Sequence, residues 1–427
     1  MDWSTFRYAL VVAVLQALAL AMVVPVRPQL LLNALGGSAS TAAAVTGALS
    51  TLDSVVEVVS NPLLGHASDL YGRRGVLLLA QAGLVVDFGL IAAFADHWQV
   101  YVVATLVGAS TGVFFMTLST VTADVAVGTG EEATAYGALG AAYGAAFAVG
   151  PAVGGPWPPR FTRLRRCTAP WRPSPSTRCL CGRRCRKRRL RACAWRCRRR
   201  GGGGDGSGGG GGGGGGSGGG GPSWAASINP LPRLRVLFRS DVLRWLGATV
   251  AAAGVAAGGL GSILFFYTHV RFGWGPPETG RFISAVGLSM IISQGLLARP
   301  LVALLGERPL ILLGFALEAA HLILYGLARN GHAMYVSLAV ATVGYASGPA
   351  LKGLVARQVG PEEQGALQGG LAALATVVRP VAPLVATGLF GYYNERGMPG
   401  VPMYVMGCLT VVAMGIAAKA LSHPHLK

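Results

Sequence analysis

Apolar residues in this chain are grouped in runs of about twenty. The runs are separated by short stretches that are polar or contain glycine or proline. A run of this length is what a helix needs to cross roughly 30 Å of hydrocarbon. Eleven such runs are found, so we predict an all-α polytopic membrane protein with eleven visible spans. The runs lie near residues 8–32, 42–64, 75–95, 99–121, 133–155, 243–268, 279–301, 309–328, 333–356, 366–391 and 401–421.

The second run carries four polar residues, Ser50, Asp53, Glu57 and Asn61. Their spacing of three and four residues places them in one stripe on an otherwise apolar helix. One ionised carboxylate at the centre of a bilayer costs about 2.5–3.5 kcal/mol on insertion scales, so two on one face predict a water-filled cavity. Because their charges repel, we expect Asp53 and Glu57 to share a proton and to be candidates for binding solute or protons. The alternative is that they pair with a neighbouring arginine for packing alone.

Two further polar residues, Gln16 and Arg379, lie inside other apolar runs. The run with Gln16 ends in Pro25-Val26-Arg27-Pro28, where two prolines must bend or break the helix and free backbone carbonyls. Arg379 lies in mid-run beside Pro380 and needs a carboxylate, a carbonyl or water as a partner. We predict that Arg379 binds an anionic group of a solute or forms a structural ion pair. Gln16 is a further candidate for contact with solute or protons.

A short charged stretch, Gly65-His66-Ala67-Ser68-Asp69-Leu70-Tyr71-Gly72-Arg73-Arg74, separates the second run from the third. It predicts a tight cytoplasmic loop, because glycine allows a turn with positive φ and arginines favour the cytoplasmic side. The stretch resembles the loop between the second and third spans of the major facilitator superfamily, although Ala67 replaces the usual leucine. The resemblance implies a latch between the two halves of a transporter, and the alternative is a basic loop that only sets topology. The latch residues are Gly65, Asp69, Gly72, Arg73 and Arg74.

The fifth run contains closely spaced glycines around a proline, which give a helix a smooth face and a bend. These residues are Gly137, Gly150, Pro151, Gly154 and Gly155. They resemble the glycine-proline motif of the antiporter branch of the same superfamily, although Ala146 replaces one glycine. The resemblance implies a helix that rocks against its neighbours during exchange of a solute for protons. The alternative is ordinary small-residue packing.

The net charge of +19 comes mainly from one part of the chain. Residues 157–200 hold 17 of the 36 lysines and arginines, six of the seven cysteines and no acid, and residues 201–221 are almost pure glycine. The rest is nearly neutral, so no nucleic-acid partner is expected. We divide the chain into a first half at 1–156, a central linker at 157–240 and a second half at 241–427. The linker is either disordered or a mis-framed translation.

Misframing is supported by the codons that the linker allows. Codons for Arg166 to Cys181, read two bases later, can encode Leu-Tyr-Gly-Ala-Val-Ala-Ala-Val-Ala-Val-Asn-Ala-Leu-Ser-Val, an apolar helix of the kind that a sixth span needs. With only five spans before the linker, the second half would also be inverted, whereas Arg308 and Arg357 lie where a six-plus-six arrangement has cytoplasmic loops. We therefore predict that the sixth span is missing or garbled in this sequence.

The second half repeats features of the first at an interval of about 230 residues. Gly72-Arg73-Arg74-Gly75 is echoed by Gly306-Glu307-Arg308-Pro309. The stretch from Gly360 to Gly369 resembles the tetracycline-efflux and hippocampus-abundant-transcript branch of the major facilitator superfamily. The resemblance implies two pseudo-symmetric six-helix halves around a central cavity.

The sequence has no GxxxxGK[ST] nucleotide-binding loop, no evident metal cluster and no nucleophile paired with a base, so neither an enzyme nor a cofactor is expected. The resemblance implies a secondary transporter that moves a small organic solute across the lipid bilayer by alternating access, with proton-coupled efflux. Relatives commonly have an acid at the place of Gln16 and an arginine at that of Ala104. Uniport or uptake of a neutral solute such as a sugar is therefore an alternative, as is a non-transporting receptor or scaffold of the same fold. No oligomer is required, and the identity of the membrane is left open.

Overall fold

The computed structural model describes residues 3–108, 132–156, 235–359 and 364–423, with single positions at 112, 114, 117, 118 and 121. These residues contain fifteen α-helices and no strand, and they belong to a compact unit formed by residues 1–159 and 223–427. The helices are α1 (Trp3–Val23), α2 (Arg27–Ala34), α3 (Ala39–Tyr71), α4 (Arg73–Phe94), α5 (Trp98–Gly108), α6 (Glu132–Gly154), α7 (Asp241–Phe272), α8 (Pro276–Ile292), α9 (Ala298–Leu305), α10 (Glu307–Leu327), α11 (Gly331–Gly344), α12 (Ser347–Ala356), α13 (Gln364–Val378), α14 (Val381–Asn394) and α15 (Val401–Leu421). A π-helical turn at Ser293–Leu297 joins α8 to α9.

Segments of membrane-spanning length dominate the part of the chain that the structure describes. Nine of them, some built from two helices end to end, are long and apolar enough to cross a membrane, and the shorter apolar helices Trp98–Gly108 and Ala142–Gly154 accompany them. Ten of the eleven predicted spans coincide with these segments, and the fourth is described continuously only as far as Gly108. The prediction of an all-α polytopic membrane protein is confirmed. The predicted sixth span lies outside the described residues.

Two spans are broken at prolines, and the sequence predicts the first of these breaks. The break between α1 and α2 falls on the turn around Pro25, and Arg27 is the first residue of α2. The break between α13 and α14 falls on Arg379 and Pro380. Proline lacks an N–H and its ring obstructs the preceding helical turn, so each interruption is local. Each break also carries an arginine into the interior of a membrane-spanning segment.

The connection between α3 and α4 corrects the predicted loop. α3 continues to Tyr71 and α4 begins at Arg73, so Gly72 alone joins them, with φ of 90° as its predicted turn requires. Gly65 and Asp69 lie inside α3, and their assignment to a loop is wrong. At 1.5 Å per residue, the 33 residues of α3 extend for about 50 Å, which exceeds the hydrocarbon thickness. The helix is therefore longer than the apolar run from which its end was predicted.

The second half contains the same kind of joint. Gly306 alone connects α9 to α10, with φ of 80° and ψ of 164°, and Gly72 has φ of 90° and ψ of 151°. Side-chain-bearing residues avoid this backbone region because the Cβ atom clashes there. The internal repeat that the sequence predicts is thus visible in the backbone, with Gly72 and Gly306 as equivalent positions.

Helix α6 packs between α1 and α8 at positions that lack side chains. Gly150 lies against α1, and a Cβ atom at Gly154 would overlap the backbone of Met22. On the other side of α6, a Cβ atom at Gly280 of α8 would overlap the carbonyl group of Pro151. Small residues let helix backbones approach this closely in membranes. The glycine-proline stretch of α6 therefore contacts helices of both halves.

Helix α3 forms a second contact between the halves by packing along α14. Thr51 Oγ1 donates a hydrogen bond to the carbonyl oxygen of Pro380 at 2.9 Å. Nearer the start of α3, Asn394 Nδ2 donates to Ser40 Oγ at 2.9 Å. These contacts, and those of α6 with the first turn of α8, lie between the middle of the bundle and the end opposite Gly72.

Helix α15 completes the second half by packing against α7 and α10. Gly407 of α15 lies against the backbone of Ala319 on α10, and Met406 fills the space above a glycine of α7. The Lys419 ammonium group lies 4.1 Å from the centroid of the Trp245 ring on α7. The faces of α7 and α10 that meet α15 are thereby buried.

Candidate functional site

A cavity of about 600 Å³ lies among the first-half helices and reaches the α13–α14 break of the second half. Its wall includes the whole predicted stripe of α3, which consists of Ser50, Asp53, Glu57 and Asn61. Arg27 and Arg379, from the two proline breaks, also line it. Much of the remaining wall is apolar and includes Leu20, Leu84, Phe88 and Phe147. The cavity has the size and mixed lining of sites that bind small organic molecules.

An ion pair inside this cavity connects the two halves. Arg379 Nη1 donates to Glu57 Oε2 at 2.6 Å. The Glu57 side chain is 10% exposed whereas that of Arg379 is 60% exposed, so protein surrounds the carboxylate while the guanidinium faces open space. A short charge-assisted hydrogen bond is strong, but exposure of one partner weakens its net contribution. The pair therefore joins α3 to the α13–α14 break through a bond that can still be broken.

Arg27 connects three helices of the first half around the same cavity. Its Nη1 lies 3.5 Å from Asp87 Oδ2 on α4, and its Nη2 donates to Thr105 Oγ1 on α5 at 3.0 Å. The planar guanidinium presents several donors in fixed directions, so one arginine can hold two partners at once. Arg27 thereby positions α2, α4 and α5 and supplies a counter-charge to the buried Asp87.

Asp53 is the cavity carboxylate that has no direct partner among the described residues, although Arg27 and Arg379 both attract it electrostatically. Asn61 Oδ1 and Asp87 Oδ1 are buried acceptors that also lack a hydrogen-bond partner in the described part of the chain. Three carboxylates thus face two guanidiniums in the described wall. These groups leave one negative charge in excess. One proton or one cationic group would balance it, since an uncompensated buried carboxylate is unfavourable.

Glycines of the fourth span make room for two of these carboxylates. A Cβ atom at Gly108 would lie 3.0 Å from the carboxylate carbon of Asp87, and one at Gly112 would overlap the carboxylate of Glu57. Neither Arg27 nor Asp87 was predicted from the sequence to be a site residue. The signals that could have found them are the two prolines that flank Arg27 and the spacing of Gly108 and Gly112 on one helix face.

Gln16 and the described residues of the predicted latch and glycine-proline motif are not among those that line the cavity. Gln16 is buried in α1 and faces a separate groove between α1 and α4. At the α3–α4 joint, Arg73 Nη1 donates to the buried Ser68 Oγ at 3.3 Å, while the side chain of Asp69 lies outside the described residues. Gly137 lies in the first part of α6, and its surroundings are outside the described residues. The roles predicted for these residues stay predictions.

Comparisons with known proteins agree with this architecture. The family model of the Major Facilitator Superfamily matches residues 9–157. Tetracycline resistance protein, class G, of Vibrio anguillarum is 31% identical over 390 residues, which cover 91% of this chain and 90% of that protein. Hippocampus abundant transcript 1 protein of Mus musculus is 23% identical over 355 residues, which cover 82% of this chain and 65% of that protein.

Solved transporter structures share the fold. The human organic anion transporter TETRAN superposes with a TM-score of 0.61 and 20% identity, over 97% of this chain and 98% of that chain. The nucleoside transporter NupG superposes with a TM-score of 0.67 and 10% identity, over 99% of this chain and 100% of that chain. At such low identity the likeness establishes the arrangement of the helices and nothing about the solute.

The chain belongs to the major facilitator superfamily. Within the superfamily it falls in the branch that contains the tetracycline resistance proteins and Hippocampus abundant transcript 1. It is an integral, multi-pass membrane protein and a secondary transporter of a small solute, and it is not an enzyme. The family and the fold class predicted from the sequence are confirmed.

Proposed function

We propose that this protein exports a small organic solute in exchange for protons, by alternating access of its cavity to the two sides of the membrane. The observation that carries the proposal is the ion pair between Glu57 and Arg379, because it lies inside the cavity and joins the two halves. A proton on Glu57 removes the charge that holds Arg379 and loosens the contact of α3 with the α13–α14 break. Protonation and separation of the halves are therefore linked through one bond.

Asp53 extends this link, since it lies one helical turn from Glu57 on the same wall of the cavity. Two ionised carboxylates one helical turn apart repel each other, so a proton bound by the pair is shared between them. Arg27 on α2 and Arg379 at the α13–α14 break both attract Asp53 and keep one negative charge in the cavity favourable. We assign the coupling proton to the pair of Asp53 and Glu57, with Arg379 as its counter-charge.

The direction of closure follows from where the halves meet. Arg73 and Arg74 place the Gly72 end of the bundle in the cytoplasm by the positive-inside rule. The contacts of Ser40 with Asn394 and of α6 with the start of α8 then lie on the outer side. In this orientation the structure is closed toward the outside, so a solute enters the cavity from the cytoplasm. Opening the outer contacts would release it.

The names of the relatives support efflux. Resistance to tetracycline through a membrane transporter requires that the drug leave the cytoplasm, and several relatives of this chain are tetracycline resistance proteins. The observation that Gln16 replaces an acid does not favour the uniport alternative. Gln16 lies outside the cavity, which keeps three carboxylates of its own.

The proposal is tested with purified protein in liposomes that carry an imposed pH gradient. A panel of small organic solutes of different charge is screened for accumulation that nigericin, an ionophore that exchanges K⁺ for H⁺, abolishes when K⁺ is present on both sides. We expect at least one solute to accumulate against its gradient, at a saturable rate. Saturable flux that ignores the pH gradient would indicate uniport, and no saturable flux for any solute would indicate a receptor or scaffold.

Replacing Gly72 by leucine is expected to reduce transport several-fold without preventing membrane insertion. The φ of 90° at Gly72 costs an L-residue about 1–3 kcal/mol, so the joint between α3 and α4 becomes strained. Initial transport rates, normalised to the protein present in membranes, measure the effect. Gly75→Ala is the matched control because Gly75 has open space around it and no positive φ.

Asp69→Asn is expected to have a similar effect if Asp69 is part of the latch, again with normal amounts of protein in the membrane. Transport at the wild-type rate in both Gly72→Leu and Asp69→Asn would remove the joint from the mechanism. A loss that also appears in Gly75→Ala would instead indicate a general loss of folding.

A further inference from the structure

Helix α8 contacts α6 of the first half along one face. The contact residues follow each other at intervals of four, three and four, as one face of a helix requires. They are Gly280, Ser284, Gly287 and Ile291. Ser284 Oγ accepts a hydrogen bond from the N–H of Ala152 at 3.0 Å. The described contact stops at Ile291, just before the π-helical turn at Ser293–Leu297, where Leu296 is already 70% exposed.

Helix α9, which follows the turn, packs within the second half. Leu301 and Val302 lie against a buried apolar cluster, to which α12 contributes Leu351 and Leu354. Gly306 then joins α9 directly to α10. The membrane span formed by α8 and α9 therefore consists of two unlike segments. Separation of the halves changes the surroundings of α8, whereas those of α9 belong to one half.

Pro300 explains why this span contains a π-turn. Proline has no N–H, and in a regular α-helix its ring would obstruct the carbonyl group of Leu296, four residues earlier. One extra residue in the preceding turn moves that carbonyl group away from the ring. The Ala298 N–H accordingly donates to the carbonyl oxygen of Ser293, five residues earlier instead of four. The α-helical hydrogen-bond ladder is thus interrupted at one place in the span.

Ser293 begins the turn with a buried hydroxyl group. Its side chain is 0% exposed, and its Oγ has no hydrogen-bond partner among the described residues. One helical turn earlier, by contrast, Ser289 Oγ lies 2.6 Å from Thr342 Oγ1 of α11. Buried polar groups are nearly always hydrogen-bonded, and an exception marks a place where strain is stored. A change of bend at this turn can bring the Ser293 hydroxyl to a carbonyl group.

We propose that the π-turn at Ser293–Leu297 is a hinge, about which α8 bends relative to α9 when the two halves separate. Pro300 supplies the interruption of the helix, and the contacts on either side place the bend between a segment that must move and one that stays. The assignment rests on the alternating access proposed above. It requires neither a particular coupling ion nor a particular direction of transport.

The hinge is tested by distances between nitroxide pairs in liposomes, in a chain whose native cysteines are replaced by serine. Arg281→Cys on α8 and Leu304→Cys on α9 are each paired with Val412→Cys on α15, and all three positions are exposed. Gly287→Leu forces α8 away from α6, because a Cβ atom there would already lie 3.0 Å from the backbone of Ala148. We expect it to shift the α8 pair by several ångströms and to leave the α9 pair unchanged. Gly287→Ala takes its place if the leucine variant does not fold.

Pro300→Ala restores the missing N–H and allows a continuous α-helix. In this background the α8 and α9 pairs should shift by the same amount, because the span then tilts as one rod. Flux of any solute that the liposome screen identifies should fall several-fold. Pro309→Ala is the matched control, since Pro309 lies in the first turn of α10, where an N–H has no partner inside the helix.

Each outcome decides the assignment. Equal shifts of the two pairs with Pro300 in place overturn it, since α8 and α9 would then move as one rod. No shift of either pair also overturns it, because α8 would then stay fixed within the second half. A difference between the pairs that persists in Pro300→Ala would overturn it by placing the bend elsewhere. If no solute is transported, the proposed export fails, while the distances still decide the hinge.

Discussion

Glu57→Gln is expected to reduce transport driven by a pH gradient by at least tenfold while counterflow of labelled against unlabelled solute continues. Glutamine keeps an oxygen that can accept the hydrogen bond from Arg379 Nη1, so the contact between the halves keeps its geometry. It cannot bind or release a proton, however, and counterflow at constant protonation requires neither step. Initial rates of both activities in liposomes measure the separation.

The groups that face Glu57 determine how this result is interpreted. Asp53 lies on the same helix, Arg379 on the α13–α14 break, and Arg27 and Asp87 on α2 and α4. Asp53→Asn should therefore weaken pH-driven transport too, because it removes the second site of the shared proton. Asp241→Asn, an exposed acid at the start of α7, is the matched control and should leave both activities unchanged.

Loss of counterflow together with pH-driven transport would mean that Glu57 binds the solute or supports the fold. Retention of both activities would remove Glu57 from coupling altogether. The two results are distinguished from poor expression by the melting temperature of the purified variant, which should stay close to that of the wild type.

Gly280→Leu is expected to abolish transport and to lower the melting temperature by several degrees. The Cβ atom alone would overlap the carbonyl group of Pro151, so the leucine side chain must push α6 and α8 apart. Overpacking of a closely fitted interface costs about 1–3 kcal/mol. In the orientation proposed above this contact closes the outer side, so the substitution should also favour the state that is open there.

The measurement is labelling from outside by a membrane-impermeant thiol reagent, applied to a cysteine placed at Ser284 next to the α6 contact. We expect faster labelling in the Gly280→Leu background. Gly261→Leu is the matched control, since Gly261 lies on α7 with no atom near its missing side chain. Wild-type transport in Gly280→Leu would show that α6 and α8 need not approach closely during the cycle.

The polar stripe on α3 could be predicted because it depends on helical periodicity alone. Asp53 and Glu57 are one turn apart on any helix, and their presence in an apolar run already requires a cavity or a counter-charge. The effect of the prolines at the two broken spans is also local, since each proline interrupts only its own helix. The family followed from such local motifs, and the prediction of two six-helix halves rests on their repetition.

Other parts of the site depend on how distant helices pack, and the sequence does not contain that information in readable form. Asp87 was isolated in its run, and only the structure brings Arg27 of α2 and Thr105 of α5 to it. Arg379 had two predicted partners, a solute or a protein carboxylate, and the structure shows that it forms an ion pair with Glu57. The end of α3 was misplaced because residue polarity marks the membrane boundary and does not mark the end of a helix.

The length of α3 has a mechanical consequence. The helix runs as one element from the Ser40 contact, past Glu57, to Gly72, and we propose that it moves as a lever about the ion pair of Glu57 and Arg379. About 22 Å of helix separates Glu57 from Gly72, so a rotation of roughly 10° moves the Gly72 end by about 4 Å. Because one residue joins α3 to α4, that displacement is passed directly to the next span. We propose that a change of protonation at Glu57 reaches the Gly72 joint in this way.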